Sequence, residues 1–142
     1  MGVLAGIAVI VIGIVSRLAD KPDRPEASRQ GLGLALNIAS LATAFMFGLT
    51  VTIWGVWELV SSVMGIAMLS FAPLTWVFWV ASGFADLGCG LTLIAFGLLA
   101  IGILTMSPER KISLAKVRPR IALVALAVGP LQIILSIAYF LF

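Results

Sequence analysis

The sequence contains no histidine and a single cysteine, Cys89. Without histidine, the usual general base, haem axial ligand and metal-binding imidazole are all missing. With one cysteine, no intrachain disulfide can form. Serine, threonine and cysteine nucleophiles are present, but none has a histidine to activate it. The chain carries no Gly-rich phosphate loop, no cluster of metal ligands and no nucleophile–base pair. Charge is scarce as well: 11% of residues are Asp, Glu, Lys or Arg, against about 25% in an average soluble domain. These absences exclude a soluble globular domain, a disordered tail and a disulfide scaffold. They also point away from an enzyme and imply no cofactor.

Apolar residues fill the space instead. Of 142 residues, 62% are hydrophobic, and mean hydropathy is +1.21. Apolar runs of about 18 residues or more read as membrane spans. The expected fold is an all-α, polytopic integral membrane helix bundle forming one domain over 1–142. Five hydrophobic helices are expected, at 2–18, 31–53, 59–81, 87–106 and 121–142. The first, opening GVLAGIAVIVIGIV, lacks a basic flank and a cleavage site, so it reads as a membrane helix rather than a signal peptide. Residues 54–58 and 82–86 read as interfacial turns between the middle three helices. The alternative is four spans plus a re-entrant or interfacial segment at 59–81, which carries Pro73, Trp76, Phe78 and Trp79. Pro73 and Pro130 are expected to kink their helices.

The basic excess lies in two polar segments, 17–30 and 107–120. In the first, Arg17, Lys21, Arg24 and Arg29 face Asp20, Asp23 and Glu26, and Pro22 and Pro25 forbid a continuous helix. In the second, Arg110, Lys111, Lys116, Arg118 and Arg120 face Glu109. Ser107, Pro108 and Glu109 make a good helix start there. The positive-inside tendency puts both segments on the cytoplasmic side. That requires an even number of crossings between them, whereas the five-helix reading supplies three. The basic residues of the second segment are candidates for contact with anionic lipid headgroups or a partner. Neither segment contains an aromatic residue, which weighs against nucleic acid.

Three of the expected helices carry small or polar residues at spacings of three and four. These are Gly33, Asn37, Ser40, Ala44 and Gly48; Gly88, Thr92, Ala95 and Gly102; and Ala122, Ala125, Gly129, Gln132 and Ser136. Each set shares one helix face and suits close helix packing. A path lined by Asn37, Thr92 and Gln132 is the sharper reading. Glu58 and Asp86 are the only acids outside the polar segments. They are candidates for an ion or proton site; the five-helix reading puts them on opposite faces, whereas the re-entrant alternative puts them on one face, where they could ring a vestibule. Trp54, Trp57, Trp76 and Trp79 read as interface anchors.

The function expected from these features is a non-catalytic integral membrane subunit. It would pack into a larger membrane assembly or self-assemble as a homo-oligomer, with lipids and other membrane subunits as partners. The alternative is an oligomeric channel or transporter for a small ion or solute.

Overall fold

The computed structural model of the protein describes residues 2–19, 25–66, 70–105 and 107–141. Among these the fold is all-helical, with no strand. Helix α1 spans Gly2–Ala19 and α2 spans Glu26–Thr43. A π-helical turn, Ala44–Gly48, joins α2 without a break to α3, Leu49–Met64. Helix α4 spans Pro73–Thr105 and α5 spans Pro108–Leu141. Joining α2 to α3 leaves four helices long and apolar enough to cross a membrane.

The helix ends follow from local chemistry. Pro25 is extended (φ −55°, ψ 142°), and α2 begins directly after it. Pro73 and Pro108 open α4 and α5 at the first helical position, where a missing N–H costs nothing. Lys111 N–H closes the first turn of α5 on the Ser107 carbonyl at 3.0 Å. Gly65 ends α3, its N–H on the Ser61 carbonyl at 2.8 Å.

Four long helices replace the five expected. Residues 54–58 and 82–86 are helical, and the break falls instead between the end of α3 at Met64 and the start of α4 at Pro73, where 67–69 lie outside the described residues. The expected element at 59–81 therefore does not exist as a unit: its beginning finishes α3 and its end starts α4. Pro73 starts a helix rather than kinking one. Pro130 does lie inside a helix, as does Pro119. The segment 107–120, beyond Ser107, and the last apolar run form one helix. The centre of the first polar segment, 20–24, lies outside the described residues.

Packing explains why glycines expected to break helices do not. Helix α1 packs on α5, α3 on α4, and α4 also on α5 and α2. At the α1–α5 contact, a Cβ on Gly6 would stand 3.0 Å from the Gly129 carbonyl, and the reverse also holds. At the α3–α4 contact, a Cβ on Gly55 would stand 2.9 Å from the Gly83 carbonyl. Glycine here lets two backbones touch, the standard way apolar helices associate. Threonine and serine hydroxyls in the same helices bond their own carbonyls, as Thr52 does to Gly48 at 2.6 Å. The core between the helices holds Val9, Leu36, Val51, Leu93, Phe96, Ala122 and Ala125.

The pairs run antiparallel. Gly2 lies beside Ser136 and Gly13 beside Ala122, while Gly102 lies beside Leu114. The end of α1, the start of α2, the end of α4 and the start of α5 therefore share one end of the bundle. Two long helices therefore separate the two basic segments, the even number that the positive-inside tendency calls for.

Candidate carboxyl cavity

At the opposite end of the bundle, four helices surround a cavity of about 320 Å³. Helix α3 contributes Trp54 and Glu58, one turn apart, and α4 contributes Ser82 and Asp86, also one turn apart. Helix α5 adds Ser136, Tyr139 and Phe140, and α1 adds Gly2 and Val3. Trp54 Nε1 donates to Glu58 Oε1 at 2.9 Å. Gln132 Nε2 donates to Asp86 Oδ1 from across the α4–α5 contact. Asp86 is 5% exposed and Gln132 is 1% exposed. The lack of a side chain at Gly2 makes room: a Cβ there would stand 2.8 Å from Gln132 Nε2.

Electrostatically the cavity is predominantly acidic, and the chain's amino terminus is the positive charge that acts on Asp86. Glu58 is the acidic neighbour of Asp86, and no Lys or Arg lines the wall among the described residues. Gln132 Oε1 is buried without a hydrogen-bond partner, and Glu58 Oε2 is buried with the Asp86 carboxyl within hydrogen-bond reach of Glu58. An unpaired buried acceptor is costly, and a second carboxylate nearby cannot satisfy it without a proton or a cation. The arrangement suits a positive charge.

A second polar layer lies toward the basic end. Arg118, 8% exposed, donates from Nη2 to Asn37 Oδ1 at 3.1 Å. Ser40 and Ser16 are buried in the same half of the bundle. Arg118 and Gln132 stand fourteen residues apart on α5, or about 21 Å at 1.5 Å per residue. Phe96, Leu93, Val9 and Cys89 are fully buried in the bundle core.

The structure thus sorts the candidates. Glu58, Asp86, Gln132 and Ser136 come together; the five-helix reading puts the two acids on opposite faces, and the re-entrant alternative puts them on one. Asn37, Thr92 and Gln132 do not line one path: Asn37 is held by Arg118, and Thr92 bonds the Gly88 carbonyl at 2.7 Å. Gly48 and Gly129 are buried packing contacts, whereas Gly33 has nothing within 4 Å of a Cβ position. Arg110, Lys111, Lys116 and Arg120 are exposed, but Arg118 turns inward and is no surface contact. Trp54 is a hydrogen-bond donor to Glu58 and not solely an anchor, and Trp76 Nε1 ties the α3–α4 turn to the Ser62 carbonyl at 2.9 Å.

Sequence reasoning missed Ser82, Tyr139 and Phe140. The four-residue spacings Trp54–Glu58 and Ser82–Asp86 were the available signal. Among the described residues, no group of three or more His, Cys, Asp or Glu is placed to hold a metal ion. No family model matches the chain, and no curated protein or solved structure is significantly similar to it.

Proposed function

We propose that the chain is an integral membrane protein of four spans that moves a small cation or cationic solute across the membrane through the carboxyl cavity. The observation that carries this is the convergence of Glu58 and Asp86 from two helices on one cavity, with Gln132 of a third helix bonded to Asp86. Acids within spanning helices are rare and mostly functional. The shared location of the two basic segments supports the membrane orientation, with that end cytoplasmic. The apolar core beyond the cavity favours a carrier that alternates its access over a permanently open channel. No catalytic step is assigned to the chain.

The experiment is flux in reconstituted vesicles. Wild-type protein should pass monovalent cations or protons faster than empty vesicles do. Glu58→Gln and Asp86→Asn should each reduce that flux at least about tenfold, the loss of about 1.4 kcal/mol of transition-state stabilisation, while helical content stays unchanged. Wild-type flux equal to that of empty vesicles overturns the reading.

The packing-subunit reading retains one supporting observation. Gly31 and Gly33 have open space around them, and Leu34 and Ile38 beside them are exposed. The other small-residue seams are taken up in contacts within the chain and do not call for a partner. Native mass spectrometry after gentle extraction tests this reading: a fixed ratio with another polypeptide supports it, and a lone chain removes it.

A further inference from the structure

We propose that the cavity binds a hydrophobic primary ammonium ion, a protonated alkyl- or arylamine, rather than a bare metal cation. This rests on the reading of the cavity as the transport site and names the class of solute it takes.

The first argument is the acceptor set. Asp86 and Glu58 each carry a carboxyl group, and Gln132 Oε1 is buried without a partner. The Gln132 amide lies between Asp86, to which it donates, and Gly2, and both of those residues line the cavity. A primary ammonium group brings three N–H donors. The Asp86 and Glu58 carboxyls, which line the cavity from two helices, supply acceptors for them, and Gln132 holds Asp86 from behind. A quaternary ammonium has no N–H to give to the two carboxyls.

The second argument is size and wall chemistry. A cavity of about 320 Å³ is far larger than an alkali ion needs, since even a water molecule takes only about 30 Å³ in the liquid. The rest of the wall is apolar and aromatic: Val3, Val51, Trp54, Tyr139 and Phe140. A desolvated metal ion would meet few oxygen ligands there, where hard cations take six or more. An amine would place its hydrocarbon body on those side chains and gain from a cation held over aromatic faces.

The third argument is access. Trp54, Tyr139 and Phe140 are exposed on the outer surface of the bundle as well as lining the cavity. A solute with an apolar body and a charged head can partition into the membrane interface and enter beside them.

The test is binding of 2-phenylethylammonium to the full chain in lipid nanodiscs, read by calorimetry and by tryptophan fluorescence. Neutral 2-phenylethanol, tetraethylammonium and sodium serve as competitors. The amine should bind at one site, with the alcohol and the quaternary ion at least about tenfold weaker, the value of one charge-assisted hydrogen bond. Glu58→Gln and Asp86→Asn should each weaken the amine at least about tenfold, whereas Lys111→Gln should not change it. Equal binding of the alcohol overturns the proposal, because an apolar slot alone would then explain it. Carboxyl-dependent sodium binding with no amine binding also overturns it, yet leaves the transport reading standing. If neither cation binds and the vesicles show no carboxyl-dependent flux, both fail together.

Discussion

Gln132 of α5 gives its amide N–H to Asp86 of α4 and keeps an unpaired amide oxygen. One side chain therefore ties two helices together behind the cavity wall. Its partner is a carboxylate with almost no access to solvent, so the bond and the desolvation of Asp86 have to be considered together.

Removing Gln132 alone should be expensive. Gln132→Leu leaves Asp86 buried without its donor, which should destabilise the protein by about 1.5–3 kcal/mol, the usual worth of a hydrogen bond to a charged group. Replacing both residues with leucine should cost less than the sum of the single changes. Chemical unfolding in mixed micelles measures the cycle. Strictly additive costs would mean that the two side chains do not act as a pair.

The glycines divide into two classes with opposite predicted effects. A Cβ at Gly90 would stand 2.6 Å from the Thr52 amide nitrogen and 2.8 Å from the Gly48 carbonyl, both backbone atoms that cannot swing aside. Gly90→Leu should therefore force α3 from α4 and cost about 1–3 kcal/mol or more. Gly33 has open space around it. Gly33→Ala should be neutral, or stabilising by up to about 1 kcal/mol through helix propensity. Thermal unfolding of the two variants checks the contrast, and similar losses at both sites would refute this account of the packing.

The sequence was most legible where water chemistry applies. The extent of α1 and the helix start at Ser107 and Pro108 follow from charge, proline and apolar length, whereas 26–30 and 108–120, expected as loops, are helical. It was least legible inside the apolar stretch. There glycine, serine and tryptophan at 54–58 and 82–86 read as turn formers, whereas between packed helices glycine is a contact and serine bonds its own helix. The true break was marked by Gly65 leaving one helix and Pro73 opening the next. On the five-helix reading, misplacing those turns separated Glu58 from Asp86 and hid the cavity. Arg118 was legible in a subtler way. Ala122, Ala125, Gly129 and Gln132 form a buried seam on α5, and one turn further upstream that seam includes Arg118. Grouping it with its basic neighbours obscured this.

The five basic residues of the second segment should accordingly behave as four and one. Arg110, Lys111, Lys116 and Arg120 are exposed. Each such residue near an anionic surface contributes about 1 kcal/mol. Changing all four to glutamine should reduce co-purification of anionic over zwitterionic lipid without lowering stability. Arg118→Gln should do the reverse, because it removes a charged donor from buried Asn37. Lipid adducts in native mass spectra and melting curves separate the two effects. Equal lipid loss from Arg118→Gln alone would return that residue to the surface group.

The four-helix topology makes a prediction about sidedness that five helices would reverse. With two long helices between the basic segments, Gln30 and Lys111 lie at one end of the bundle, and Leu74 and Leu141 at the other. All four are exposed. Cys89 is buried, so it should resist thiol reagents until the protein unfolds, and Cys89→Ala provides a clean background. Single cysteines introduced at the four positions can then be labelled with an impermeant maleimide in sealed, oriented vesicles. Gln30→Cys and Lys111→Cys should react from the same side, and Leu74→Cys and Leu141→Cys from the opposite side. If the first two react from opposite sides, an odd number of crossings separates the basic segments. The bundle's antiparallel pairing, and with it the cavity between α3, α4 and α5, would then be wrong.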